Sequence, residues 1–449
     1  MPTRGLWKSR GYGWLLEIGA DGYALFDYTD ISCVEFERGT CAQFERGFDR
    51  LEITGDALSL YVKGDITRYR FDRVAAFPAV VIRLDDRRNT DPVFNFEVLW
   101  RAFQQDYAFF ARHRVDWQAI YRRHRPRVDA GTSAAELRGV FEEMLGAIPD
   151  NHVYLHTERS RFISDRIADI KSWMVDAFDL ESASLGEATT IARYQAFVRN
   201  EILRGKARVA GNDLLSWGFV DPGIGYLAVL RLFGFADTAD AKAAVGLPKP
   251  RPDVAEFLAR DLTALGRMLD DAMRDLAGAD ALILDVRVNG GGFDKAGMMI
   301  ADRFADRRRL AFSKRAREGD GLGPVQEQFI EPTEAGSFTK PVYLLTAQRT
   351  ASAGEVLALC LSALPHVTRV GQPTLGIFSD DLAKHLPNGW VTSISNEVYA
   401  GPDGTVYEGS GVPPQVTVPV FRQYDLRGAL KLAVEKAMDL ANPVRRRNS

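Results

Sequence analysis

Cysteine is scarce. Cys33, Cys41 and Cys360 make an odd count in 449 residues with no C-x-x-C spacing. That excludes a disulfide framework and a Cys-based structural zinc site, and it fits a reducing compartment. Long apolar runs are missing too. The best, residues 226–233 and 356–364, contain Arg231 and Ser362 and fall short of the ~18–20 residues that span a bilayer. The basic start is followed by a short apolar run at 14–18 that contains Glu17, too little for an export signal. The expectation is therefore a cytoplasmic chain, unless a leader has been trimmed. Neither sign of charge is in excess: 57 basic against 60 acidic side chains give a net charge of −3. The electrostatic case for a nucleic-acid or anionic-membrane binder is thereby removed. With 39 glycines and 20 prolines the chain is neither collagen-like nor broadly disordered.

What is present is a soluble-type balance, 46% hydrophobic and 26% charged, long enough for several cores. Residues 1–88 read as a β-rich barrel or sandwich module. Aromatic and β-branched runs at 12–18, 23–28, 32–36, 50–54, 58–62 and 67–71 alternate with turn signals such as Ala20-Asp21-Gly22 and Gly64-Asp65. Residues 89–160 read as a helical lead-in, with Phe96, Leu99, Trp100 and Phe103 at helical spacing, and with Thr132 or Ser133 as cap of a helix that has Glu136 at capping-box distance. Residues 161–222 read as mostly helical, with a helix at 189–204. From 223 to 440 strands and helices alternate, which predicts an α/β layered core. Residues 441–449, with Arg445-Arg446-Arg447, read as a tail.

Three segments carry residues suited to chemistry. In Thr350-Ala351-Ser352-Ala353-Gly354-Glu355, a serine sits between a strand and a helix, where helix N-terminal N–H groups suit a developing oxyanion. Alone, the segment is better explained as a helix N-cap. Asn289-Gly290-Gly291-Gly292 follows a buried strand, and its backbone can face a carbonyl or anion without Cβ obstruction. It matches neither the P-loop nor the dinucleotide fingerprint, and a tight turn explains it equally well. Asp150-Asn151-His152 precedes a strand-like run that ends at His156. On a strand, positions four apart are separated by ~13 Å, so His152 and His156 cannot share a metal.

Together and in order, these segments resemble the carboxyl-terminal processing protease and tricorn-core family of serine peptidases. Further matching pieces are Val115-Asp116-Trp117, Gly223-Ile224-Gly225-Tyr226-Leu227, Val370-Gly371-Gln372-Pro373-Thr374-Leu375-Gly376 and Glu408-Gly409-Ser410-Gly411-Val412-Pro413-Pro414. The resemblance covers roughly residues 92–420 and implies an α/β ClpP/crotonase-like core. Processing proteases of this family pair the serine with a lysine just after the T-x-G segment. Ile377 stands there, and Lys384, further on, is a poor match. Tricorn-like members use a histidine and a glutamate instead. The resemblance therefore implies Ser352 as nucleophile, His152 as general base and Glu408 as the group that orients the imidazole. Asp150 and Glu355 stand in reserve for the third role. The oxyanion hole would combine the N–H of Ala353 with that of Gly290 or Gly291, with Gly291 favoured. Asn151 stands where tricorn itself often has a serine, which touches a supporting hydrogen bond rather than the triad.

The implied activity is peptide-bond hydrolysis in short peptides or unfolded segments, with no metal and no organic cofactor. No PDZ carboxylate-binding signature is evident between the histidine segment and Gly223. The basic stretches 121–125 and 307–309 read as solvated faces. Homo-oligomerisation is compatible with the family. The rival readings are a hydrophobic-ligand carrier on the same fold and an idle scaffold whose β module binds a partner. The co-occurrence of Ser352, His152 and Glu408 speaks against the carrier.

Overall fold

The computed structural model describes residues 4–158, 160–163, 187–236, 252–421 and 425–442. The N-terminal module is an eight-stranded sheet in the order Phe48–Thr54, Ala57–Val62, Arg68–Val74, Gly5–Ser9, Trp14–Ile18, Gly22–Tyr28, Cys33–Thr40 and Val81–Ile82. Every pairing is antiparallel except the last. The six runs seen in the sequence are all strands. Gly5–Ser9 and Val81–Ile82 were not anticipated, nor was the short helix Cys41–Arg46. Alternation buries Trp14, Leu16, Leu25, Leu58, Leu60 and Phe71 on one face. That face also packs against Ala255, Ala316 and Leu382 of the main body.

The lead-in is helical, as expected: Pro92–Asp106, Phe110–His113, Trp117–His124 and Ala134–Gly146. Asp91 caps the first of these through Val93 N–H, and Ser133 with Glu136 forms the anticipated capping box on the last. Their apolar faces gather Phe96, Leu99, Phe103 and Phe141 around Trp390 and Ile394.

The core sheet has seven strands in the order Arg208–Ala210, Leu215–Asp221, Ile224–Val229, Ala281–Asp285, Val342–Thr346, Val367–Gly371 and Val416–Thr417. From Ile224–Val229 onward the pairings are parallel. Pro252–Asp275, Asp294–Asp302 and Ala353–Ser362 pack on one face, through Leu265, Leu269, Ile300 and Val356. Glu187–Phe197 and Leu426–Ala441 cover the other face, through Tyr194, Phe197, Leu430 and Val434. This is the expected α/β layering, with near-continuous apolar strands buried on both sides. The stretch 161–222 needs a correction. Helix is present at Glu187–Phe197, but Arg208–Ala210 and Leu215–Asp221 are strands of the core sheet. Their alternation is masked by Gly218 and by turns through Asn212 and Asp213, both at positive φ. Residues 164–186 and 443–449, part of that reading and of the tail, lie outside the described residues.

A smaller four-stranded sheet, in the order Arg161–Ile163, Tyr154–His156, Val391–Ser395 and Asp381–His385, joins the histidine segment to a hairpin from the second half of the chain. Lys384 lies on its outer strand and is 2% exposed. Its Nζ donates to the carbonyls of Tyr12 at 2.5 Å and Gly13 at 3.0 Å, and lies 3.0 Å from Asp106 Oδ2. Asp27 receives His385 Nδ1 at 2.7 Å. Lys384 is thus spent on docking the N-terminal module. Removing one member of a buried pair costs ~3–5 kcal/mol, because the remaining charge is left unpaired. Lys384→Met should lower the unfolding free energy by that order in urea titration; an unchanged midpoint would contradict the docking role.

Candidate active site

Ser352 ends the turn after Val342–Thr346 and opens the helix Ala353–Ser362. Its backbone has φ +52° and ψ −127°, a conformation that L-residues rarely adopt. Such a conformation costs of order 1–3 kcal/mol and persists only where neighbours enforce it. The neighbours are identifiable. Thr350 Oγ1 donates to Val286 O at 2.8 Å, and Ala351 N–H donates to Asn289 O at 3.0 Å. Leu375 N–H donates to Thr350 O at 2.9 Å. These bonds tie the serine turn to the glycine turn on one side and to the Thr374 segment on the other.

Glu355 reinforces this arrangement. Its carboxylate accepts from Thr374 Oγ1 at 2.5 Å, Gly376 N–H at 2.6 Å, Ile377 N–H at 2.7 Å and Ser352 N–H at 3.3 Å. Burial pushes its carboxyl up to about 7, against the pull of those donors. Ile377 contributes its backbone N–H to this clamp. Glu355 is therefore a structural acceptor, engaged with the backbone on both sides.

The glycine turn approaches the serine as closely as backbone can. Gly291 has φ +100°, and a Cβ there would lie 2.7 Å from Ser352 Cβ and 2.8 Å from Ala351 O. Only glycine fits. Asn289 holds the turn: its Nδ2 donates to Val229 O at 3.0 Å, and its Oδ1 accepts Gly291 N–H at 2.9 Å. The Gly291 N–H, favoured for the oxyanion hole, is thus already engaged. Below the turn lies a fully buried ion pair. Arg287 Nη2 and Nε meet Asp285 at 2.5 and 2.9 Å, and Tyr226 and Tyr194 hydroxyls donate to the same carboxylate at 2.5 and 2.7 Å. Burial raises the Asp285 carboxyl, but Arg287 and the two tyrosine hydroxyls together outweigh it and leave the group below its ordinary value.

His152 lies in the turn between the helix Ala134–Gly146 and the strand Tyr154–His156. Asp150 shapes that turn, accepting His152 N–H on Oδ1 at 2.9 Å and Tyr107 Oη on Oδ2 at 3.1 Å. Among the described residues, His152 Nδ1 is buried without a hydrogen-bond partner. Glu408 is 1% exposed, and its Oε2 accepts Phe378 and Ser379 N–H at 2.8 and 3.2 Å. Burial, then the charges of Asp150 and Glu355, push its carboxyl well above the ordinary range. Ligand atoms of Glu408, Asp150 and His113 lie within 4.8 Å of one another. Both Asp150 oxygens and Glu408 Oε2 already receive protein donors, so the donor set does not read as a vacant metal cage. The structure therefore sets Glu408 against Asp150, which shapes the His152 turn.

Sequence reasoning missed Asp381. It begins the strand Asp381–His385, takes a hydrogen bond from Ser393 Oγ and another from the Tyr154 hydroxyl, and feels the charge of His152. No motif marks it.

Comparison with known proteins bears on this geometry. Residues 254–418 match peptidase family S41, and residues 89–146 match the tricorn protease C1 domain. Ser352 and Glu408 fall inside the first match, whereas His152 falls between the two. Similar curated proteins include the carboxy-terminal processing protease CtpA of Bacillus subtilis, 27% identical over 150 residues, covering 33% of this chain and 31% of that protein. Another is the carboxyl-terminal-processing protease of Synechocystis, 29% identical over 165 residues, covering 36% of this chain and 37% of that protein. The alignments thus span about a third of these relatives. Among solved structures, a putative peptidase from Parabacteroides merdae superposes with a TM-score of 0.61 at 23% identity, over 79% of this chain and 97% of that one. Mature CPAF does so at 0.53 and 12% identity, over 78% of this chain and 98% of that one. These likenesses establish the fold.

The raised Glu355 carboxyl has a measurable consequence. The folded chain keeps a proton that the unfolded chain releases at its lower, ordinary pKa. The linked stability is present below that ordinary value and is lost as pH rises through about 7. Between pH 5 and 8 the unfolding free energy should fall more steeply, by roughly 2 kcal/mol, than in Glu355→Gln, whose side chain does not titrate. Equal slopes in denaturant titrations at the two pH values would contradict the assignment.

Proposed function

We propose that the chain hydrolyses peptide bonds in short peptides or unfolded segments, with Ser352 as the nucleophile, a reading supported by the match of residues 254–418 to peptidase family S41. The observation that carries this reading is the Ser352 backbone at φ +52°, with Gly291 pressed against it at the head of a helix. An ordinary N-cap needs no such strain. A nucleophile does, because the turn lifts Oγ clear of the sheet toward substrate.

In this reading His152 takes the Ser352 proton as Oγ attacks the scissile carbonyl, then returns it to the leaving amine. The negative oxygen of the tetrahedral intermediate is met by Ala353 N–H, at the positive end of the helix, and by an N–H of the glycine turn. Gly290 N–H serves directly, whereas Gly291 N–H must first leave Asn289 Oδ1. Glu408, the expected orienting group, is held by Phe378 and Ser379 N–H beside Asp150, and it is Asp150 that holds the His152 turn. The residues at 377 and 384 provide no lysine base: one is Ile377, and Lys384 is bound to the N-terminal module. A carrier of hydrophobic ligands is not favoured. A cavity of about 570 Å³ lies between the N-terminal module and the main body, and among the charged side chains that line it are Lys8, Arg10, Asp72, Asp106 and Arg317, beside Tyr28 and Val74.

Ser352→Ala should abolish hydrolysis of an unstructured peptide, with kcat falling by up to about a million-fold, and His152→Ala should fall comparably. Full activity in purified Ser352→Ala would overturn the reading.

A further inference from the structure

We propose that Asp381 is a positioning residue for His152: a second carboxylate, delivered by the small sheet, that holds the imidazole and stabilises the imidazolium formed when Ser352 loses its proton. The inference rests on the function proposed above and assigns a residue that the resemblance does not supply.

The sheet register carries the argument. His156 pairs with Val391 and Leu155 with Thr392, and Thr392 Oγ1 donates to Tyr154 O at 2.7 Å. The next position along brings Tyr154 level with Ser393. On the far side, Ser393 pairs with Ala383 and Ser395 with Asp381. Asp381 is thus two residues along its strand from the partner of Ser393, within reach across the pleat. Both neighbours grip its carboxylate, Ser393 Oγ from one strand and the Tyr154 hydroxyl from the other. Ser393 is fully buried and Tyr154 is 4% exposed, so the two donors are fixed in place, while Asp381 itself keeps a solvent-facing side.

His152 stands two residues before Tyr154 on the same segment. Its charge is the largest one acting on Asp381, and its Nδ1 is buried with no hydrogen-bond partner among the described residues. Glu408 differs on each point. Its Oε2 is taken by two backbone N–H groups, and the charges acting most strongly on it are Asp150 and Glu355. The two carboxylates therefore divide the work. Glu408 is bound to the backbone beside Asp150, and Asp381 supplies the negative charge that the protonated ring needs.

The other titratable groups nearby leave this pairing intact. Around Asp381 they are Tyr154 from the strand beyond Val391–Ser395 and Asp380 from its own strand's lead-in, the latter 3.5 Å from the buried Lys314 Nζ. Around His152 stands Asp150 in its own turn, with His113 and Glu408 beyond it. Lys384 and His385, further along the Asp381 strand, are bound to Asp106 and Asp27. Desolvation raises the Asp381 carboxyl, while the His152 charge and the Ser393 and Tyr154 hydroxyls pull it back.

The test compares Asp381→Asn, Asp381→Glu and Ser393→Ala with the native chain, reading kcat and KM against pH on an unstructured peptide. Loss of the negative charge should lower kcat by ~10–100-fold with KM nearly unchanged, and should move the acid limb of kcat/KM to lower pH by about half a unit to one unit. Asp381→Glu should restore most of the rate and the native acid limb. Ser393→Ala keeps the charge but loses one donor, so it should show a smaller loss and almost no displacement. An acid limb in Asp381→Asn that coincides with the native one overturns the proposal, whatever the fall in rate. Activity in Ser352→Ala measured alongside would instead overturn the underlying reading of the site, so the two failures are distinguishable.

Discussion

The site depends on one close approach. Gly291 must pass so near Ser352 that no side chain fits between them, and Ser352 must accept a left-handed backbone to present its hydroxyl there. Neither condition is stable in isolation. Each is enforced by polar groups buried on purpose-built partners: Glu355 across the serine turn, Asn289 across the glycine turn, and Thr350 bridging to Val286. Strain of this kind persists only when the surroundings over-determine it.

The surrounding architecture serves the same end. The parallel strands Ala281–Asp285 and Val342–Thr346 are neighbours in the core sheet, so the turns that follow them emerge side by side. That adjacency brings the glycine and serine segments together although more than fifty residues separate them in sequence. Arg287 and Asp285, fully buried, anchor the start of the glycine turn, and Arg287 Nη1 reaches Leu430 O on the covering helix at 2.8 Å. Breaking such a pair leaves a charge without a partner, which ties the turn to the packing of Leu426–Ala441. The N-terminal module reaches the site by a second route, gripping the Asp381–His385 strand through Lys384 and His385.

Much of this was legible in the sequence, and the exceptions have physical causes. The module strands alternate strongly enough to be read individually, and the strand–helix alternation after residue 223 announces the layered core. Leu215–Asp221 escaped notice because Gly218 interrupts its pattern and flanking positive-φ turns read as loop. In the sequence Glu355 stands only in reserve for the third catalytic role. Its role as a clamp on Gly376 and Ile377 depends on a contact between segments about twenty residues apart. Lys384 reads only as a poor match for the family lysine, and only the tertiary docking shows it buried. Asp381 carries no local signature, because its neighbours Tyr154 and Ser393 come from two other strands.

The central claim is that Ser352 is a nucleophile made reactive by His152. It is tested most directly by treating the folded chain with a fluorophosphonate and locating the adduct by peptide mapping. The account predicts one adduct, on Ser352, that fails to form in folded His152→Ala. No adduct on the native chain, an adduct on another residue, or labelling indifferent to His152→Ala would contradict it.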